Sequence, residues 1–186
     1  MPDKKDAQRK LCRERRDALS DAERRELSLH ITENIRSSEL YKNAKNIMIY
    51  KVFGSEADLA ELEKYAEADG KTLSYPYCPD RSSMLALHPL SADAFAEGRF
   101  GILAPIPERS VGIPPEDIDL VICPCTAFDG AGHRLGTGAG YYDRFLPGCT
   151  NAAVTAAAFE VQRLDEVCTG EHDYDMAVIF TEDHQA

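Results

Sequence analysis

The segment Asp119–Arg144, DLVICPCTAFDGAGHRLGTGAGYYDR, decides how the rest of the chain is read. It begins with an apolar run, Leu120 to Cys123, that reads as a strand. A long loop follows with Gly130, Gly132, Gly136, Gly138 and Gly140, and a helix starts near Gly140-Tyr141. Strands that are apolar throughout are buried on both faces, as in parallel sheets. The alternating glycines Gly136, Gly138 and Gly140 permit positive φ and close approach of backbone to a ligand. Successive backbone N–H groups and a helix N-terminus after them suit an anion. Arg134 adds a guanidinium matched to phosphate oxygens. The segment is not a Walker A loop, since no G-K-[ST] follows. It is not a dinucleotide fingerprint either, because the third glycine of that pattern would fall on Tyr141. On these rules alone a flexible surface loop stays open as the alternative.

Working outward, residues 3–18 read as a charged helix. Lys5, Arg9, Arg13 and Arg16 lie along one face at i, i+4, i+8 and i+11, for which the plain alternative is a solvated face. Ser20-Asp21-Ala22-Glu23 is a capping box that starts a second helix running to about Ser38. Ile47 to Tyr50 predicts a buried strand, Glu56 to Asp69 a helix stopped by Gly70, and Thr72 to Tyr77 and Met84 to Leu87 two more strands. Ala104 to Pro115, rich in Pro and Gly, reads as a loop. Ala152 to Ala158 and Met176 to Thr181 read as strands, with a helix near Glu160–Val167 between them. Alternation of strands and helices predicts an α/β fold, a three-layer α/β/α arrangement around a mostly parallel central sheet. No repeat or linker divides the 186 residues, so one domain over 1–186 is expected.

The net charge is −11, yet residues 1–16 hold seven cations against three anions, a net +4, which leaves −15 for the rest. An acidic body argues against broad nucleic-acid binding. A short basic helix on it suits one compact anion such as a triphosphate. No apolar run reaches the roughly 20 residues of a membrane helix, and the charged N-terminus lacks a signal-peptide core. With six cysteines in 186 residues the chain does not need a disulfide framework. Cys123-Pro124-Cys125 lacks zinc-finger partners, so reduced thiols and a cytoplasmic location are expected. Cys123 and Cys125 read as small buried apolar residues rather than reactive thiols. Nothing in the composition specifies an oligomer, and a monomer is the favoured state.

Beyond the glycines, Tyr141 and Tyr142 offer faces on which flat ligands stack. Asp143 stands where a carboxylate holds Mg²⁺ beside phosphates; favourable charge at a helix start is its plain alternative. Here the sequence resembles the 5-formyltetrahydrofolate cyclo-ligase (methenyltetrahydrofolate synthetase) family. The family pattern F-D-x-x-G-x-R-L-G-x-G-x-G-Y-Y-D is matched by Phe128, Asp129, Gly132, Arg134, Leu135, Gly136, Gly138, Gly140, Tyr141, Tyr142 and Asp143. The resemblance extends to Lys5 and Arg9 in the basic helix, Ala18-Leu19-Ser20, Tyr50 and Glu56, Phe159-Glu160 with Gln162, and His172-Asp173. Ala104 before Pro105, and Thr169-Gly170, depart from it; the latter makes the placement of Asp173 less firm.

The resemblance implies an ATP- and Mg²⁺-dependent ring closure of formyltetrahydrofolate to methenyltetrahydrofolate. It implies ATP contacts at Lys5, Arg9, Arg134, Leu135, Gly136, Thr137, Gly138, Ala139, Gly140 and Tyr141. It implies folate contacts at Glu56, Tyr141 and Tyr142, catalytic roles for Arg134 and Tyr142, and Mg²⁺ at Asp143 and Asp173. An apolar folate pocket would include Phe53, Phe100 and Leu103, whereas His133 and His172 receive no chemical role. Two alternatives stay open: a binding protein that lost turnover, and a ligase for another N-formyl compound. A turn-forming role is the alternative for Asp173.

Overall fold

The computed structural model describes residues 4–171 and 173–183, the side chain of Phe100 excepted. Helix α1 (Lys4–Asp17) is followed by α2 (Asp21–Ser37), α3 (Glu39–Asn43), strand β1 (Asn46–Met48) and α4 (Ala60–Ala68). Next come β2 (Thr72–Tyr77), β3 (Leu85–Pro89), β4 (Phe95–Glu97), β5 (Leu103–Pro105) and β6 (Ser110–Ile113). The chain closes with β7 (Leu120–Pro124), β8 (Ala127–Phe128), β9 (Arg134–Leu135), α5 (Tyr141–Phe145), β10 (Ala153–Ala157) and β11 (Val178–Phe180).

Among the described residues seven strands form one sheet in the order β11-β10-β7-β1-β2-β3-β6. The five strands from β11 to β2 pair in parallel, and β3 and β6 add an antiparallel edge. The fold is the expected three-layer α/β/α arrangement. On one face Ile31 and Ile35 of α2, Tyr41 of α3, and Leu62 and Ala66 of α4 pack on Ile47, Leu73, Leu120 and Ile122. On the other, Phe145 and Leu146 pack on Met48, Val121, Cys123, Val154 and Ile179. This double coverage explains why β7 is apolar at every position. The Asp119 carboxylate accepts from the backbone N–H groups of Lys45 and Asn46, both at 2.8 Å, and so ties the entry of β1 to that of β7. Among the described residues no helix is long and apolar enough to cross a membrane.

The Ser20 capping box forms, with reciprocal bonds between Ser20 and Glu23. Three expectations are corrected. The proline-rich span from Ala104 to Pro115 is not a loop throughout: it holds the end of β5, with Pro105 as its last residue, and all of β6, which Pro114 follows. Since β6 is the edge of the sheet, a proline beside it removes no ladder bond. The helix expected at Glu160–Val167 is one 3₁₀ turn, Glu160–Gln162. The chain then extends because Leu164 N–H donates to the Phe128 carbonyl at 2.8 Å and Arg163 bridges Phe128. The helix expected from Glu56 starts only at Ala60. Glu56 closes a turn onto Phe53 instead, and Asp58 accepts from Ala60 N–H at 3.0 Å. Helix α3, absent from the sequence reading, is capped by Ser38.

Gln162 pins this end of the molecule. Its side-chain amide donates to the carbonyls of Cys125 (2.7 Å) and Thr126 (2.9 Å), and its oxygen accepts from Phe159 N–H (2.9 Å). Gln162→Leu strands these buried groups and should lower stability by about 2–4 kcal/mol. The check is a drop in the urea midpoint with an unchanged slope.

Candidate active site

The carboxyl ends of parallel strands are where α/β sheets open a crevice. Here Tyr50 and Lys51 follow β1, Pro76 and Cys78 close β2, and Pro124 and Thr126 close β7, all lining one cleft of about 580 Å³. Helix α1 and the glycine loop form the opposite wall. Every site residue expected from the sequence lines this cleft: Lys5, Arg9, Glu56, the run Arg134 to Tyr142, Asp143 and Asp173. The charged face of α1 therefore borders the cleft through Lys5, Arg9 and Arg13, the last still exposed, and buries Arg16.

The floor is set by the short hairpin of β8 and β9, in which Phe128 pairs with Arg134. Asp129 shapes its turn. One carboxylate oxygen accepts from the N–H groups of Ala131 (2.9 Å) and His133 (3.2 Å), and the other from Val167 N–H (2.8 Å) and the His133 ring (2.9 Å). Gly132 has φ +89°, and a Cβ there would meet the Met176 carbonyl at 2.8 Å. The turn therefore requires glycine. His133 belongs to this scaffold, and His172 lies outside the described residues.

The hairpin delivers Arg134 to the cleft with its side chain 3% exposed. Its guanidinium donates to the Pro124 carbonyl at 3.0 Å and to the Asp143 carboxylate at 3.2 Å, 5.6 Å from the Tyr142 ring centroid. Among the described residues, three buried side-chain polar atoms lack a partner, and two of them are here: Arg134 Nε and the Tyr142 hydroxyl. Burial pushes the Tyr142 phenol well above its usual range, so it is a neutral donor. Unpartnered buried donors beside a cleft are the groups a ligand satisfies.

The glycine segment departs from expectation in two respects. Gly138 (φ +105°) and Gly140 (φ +68°) use the conformations open to glycine, whereas Gly136 does not. At Gly136 the constraint is space, since a Cβ would lie 3.0 Å from the Arg134 guanidinium. Helix α5 is only five residues long, so an anion would be held by loop N–H groups rather than a helix dipole.

Two site groups occupy each other. Lys5, expected at phosphates, forms an ion pair with Asp173, expected at Mg²⁺. Burial raises the Asp173 carboxyl, but the bonds from Lys5 and Gly170 N–H and the charges of Lys5 and Arg134 outweigh it, so the net shift is downward. Arg9 Nε donates to the Gly136 carbonyl at 2.9 Å, fastening α1 to the loop. Among the described residues no cluster of three His, Cys, Asp or Glu side chains forms a protein-only metal cage. Asp143, paired with Arg134, and Asp173, paired with Lys5, both line the cleft, and such a donor set fits Mg²⁺, which takes one or two carboxylates and completes its shell with phosphates and water.

Glu56 lines the same cleft and is 8% exposed. Burial lifts its carboxyl to about 7, with Arg16 and the Phe53 N–H pulling partway back. Tyr50, Phe53, Cys78, Met84, Ile102 and Ala104 line the same cleft and give it an apolar wall. Of the expected apolar pocket, Phe53 is present. Leu103 is exposed and turned away, so that its neighbours Ile102 and Ala104 line the cleft; the strand alternation of β5 accounts for this. The Phe100 side chain lies outside the described residues. Arg13, Lys51 and Arg99 also line the cleft and were not singled out as site residues. Arg13 was visible in the cationic stripe, whereas Lys51 and Arg99 had no local pattern to mark them. Tyr141 bonds to the Asp80 carbonyl at 2.9 Å, and Arg144 to the Ser82 carbonyl at 2.9 Å, which anchors α5.

A model of the 5-formyltetrahydrofolate cyclo-ligase family matches residues 2–182. The 5-formyltetrahydrofolate cyclo-ligase of Mus musculus is 28% identical over 187 residues, covering 91% of this chain and 89% of its own. That of Mycolicibacterium smegmatis is 32% identical over 158 residues, covering 77% of each. The solution structure of Aquifex aeolicus 5,10-methenyltetrahydrofolate synthetase superposes with a TM-score of 0.86 at 30% identity, over 97% of this chain and 91% of that one. With the loop, the cationic helix face and the buried glutamate all opening on one cleft, the chain belongs to the 5-formyltetrahydrofolate cyclo-ligase family.

Proposed function

We propose that the chain catalyses the ATP- and Mg²⁺-dependent conversion of 5-formyltetrahydrofolate to 5,10-methenyltetrahydrofolate, releasing ADP and phosphate. One observation carries the reading: the unpartnered Arg134 Nε and Tyr142 hydroxyl border the cleft that also holds the glycine loop and Glu56. The names of the mouse and Aquifex relatives support the same chemistry.

A formyl amide oxygen is a poor leaving group. Its attack on the γ-phosphorus of ATP forms an O–P bond, breaks the bond to ADP and leaves an imidate phosphate. The second folate nitrogen then attacks the formyl carbon and gives up its proton. The C–O bond breaks, and the oxygen departs on phosphate. Little covalent help is needed from protein in phosphoryl transfer, so positioning and charge neutralisation dominate. In this reading Lys5, Arg9 and the N–H groups from Gly136 to Gly140 hold the phosphates, with Leu135, Thr137, Ala139 and Tyr141 shaping the cradle. Arg134 neutralises charge on the transferring group, and Tyr142 donates its hydroxyl beside it. Asp143 and Asp173 would hold Mg²⁺, which when bound neutralises phosphate charge. Glu56 accepts hydrogen bonds from the N–H donors of the pterin, and Tyr141 and Tyr142 supply faces to the folate.

The direct test mixes protein, 5-formyltetrahydrofolate, ATP and Mg²⁺ and follows the strongly absorbing methenyl product; folded protein that forms none overturns the reading. Arg134→Ala should lower kcat by about 10²–10³, the scale of losing one charge-stabilising donor. Steady-state kinetics at saturating ATP checks this, and unchanged values remove Arg134 from the chemistry.

Glu56 sets a pH dependence. Its carboxyl is raised to about 7, so the acceptor anion is present above that value and is lost as pH falls through it. Below pH 7, kcat/KM for folate should fall by about tenfold per unit. Glu56→Gln should flatten this limb while raising folate KM, as measured by pH–rate profiles of the two proteins.

A further inference from the structure

Arg16 is buried, 6% exposed, on a helix that otherwise buries only Cys12. Desolvating a guanidinium is costly unless its surroundings compensate. Among the described residues it makes no direct ion pair. Its Nε donates to Ser55 Oγ at 2.9 Å, Ser55 in turn donates to the Asp17 carboxylate, and one Nη makes a long 3.5 Å contact with the Cys125 carbonyl. Arg16 therefore bridges three walls of the cleft: helix α1, the turn ending at Glu56, and the chain leaving β7. Next to Ser55 stands Glu56, also buried, whose carboxylate accepts from Phe53 N–H at 3.1 Å.

We infer that Arg16 is a positioning residue for Glu56, pinning the Ser55–Glu56 turn against the end of β7 and supplying the positive field in which that carboxylate meets the substrate. This rests on the reading of Glu56 as the folate acceptor. The other groups facing Glu56 do not replace Arg16. Tyr50, just after β1 and bonded to the Ala57 carbonyl, and Tyr142 on α5 are its buried phenol neighbours, and burial keeps both neutral. A second cavity of about 430 Å³ touches Glu56 from behind, where Arg24 and Arg25 are offset by Asp21, Asp58 and Glu61. Arg24 is already paired with Asp21. Of the charged side chains, Arg16 is the one that favours the Glu56 anion.

The test is the titration of the Glu56 carboxyl by ¹³C NMR, its signal assigned by loss in Glu56→Gln. No substrate or turnover is needed, so the result stands even if the proposed reaction fails. Arg16→Leu should raise the midpoint by about one unit, the scale of losing one nearby opposite charge, and Arg16→Lys should recover part of it. With substrate, Arg16→Leu should lower kcat/KM for formyltetrahydrofolate by about fivefold at pH 7 and hardly at all at pH 9, following the fraction of anion. KM for ATP should stay within about twofold. Arg16→Gln keeps a donor for Ser55 and loses the charge; it carries the same titration where Arg16→Leu does not fold. An unmoved midpoint in folded protein, or a loss of equal size at every pH, overturns the inference.

Discussion

A guanidinium buried as deeply as that of Arg134 obliges everything around it to be polar in the right directions. The Pro124 carbonyl, at the end of an otherwise apolar strand, takes one of its N–H groups and Asp143 takes another. Gly136 has no side chain because that space is already filled by Arg134. The hairpin carrying Arg134 is in turn fixed by Asp129 and Gly132, and the chain beyond β7 by Gln162. The family pattern from Phe128 to Asp143 is thus largely the set of residues that make one buried cation possible. What is left over, an Nε and a neighbouring phenol without partners, is what the scaffold offers to a ligand.

Much of this was legible in the sequence because its causes are local. Strand β7 announced itself by four apolar residues in a row, helix α2 by its capping box, and the loop by its alternating glycines together with the Tyr141-Tyr142-Asp143 ending. That Lys5, Arg9, Glu56 and Asp173 share one cleft was legible only through the family resemblance, since nothing in their spacing brings residues so distant in the chain together. Other features depended on partners the sequence does not show. Strand β6 exists because β3 offers an edge, and the turn at Gln162 ends because Phe128 captures Leu164. The Lys5–Asp173 ion pair joins residues from opposite ends of the chain, so each was assigned to phosphate or metal without a view of the other. Gly136 shows the same limit: glycine for conformational freedom and glycine for want of room look alike in a sequence.

The apolar wall also shows how one sheet serves two ends. Cys123 lies inside the packed layer with its thiol pushed up to about 12, while Pro124 and Thr126, just beyond it, face the cleft. The change from core to site takes place within three residues.

Helix α1 is held differently from the rest of the molecule. Beside one apolar contact, Cys12 packed with Ala127, Leu135 and Val167, its attachments are polar: Gln8 to the Glu166 carbonyl and from Cys168 N–H, Arg9 to Gly136, Lys5 to Asp173, Arg16 to Ser55. The charged contacts among these lose strength with ionic screening, whereas the apolar layers beneath do not. The fastening of α1 is accordingly more sensitive to ionic strength than the packing of the sheet. Since it forms one wall of the cleft, salt bears on the shape of the enclosure as well as on the charges inside it.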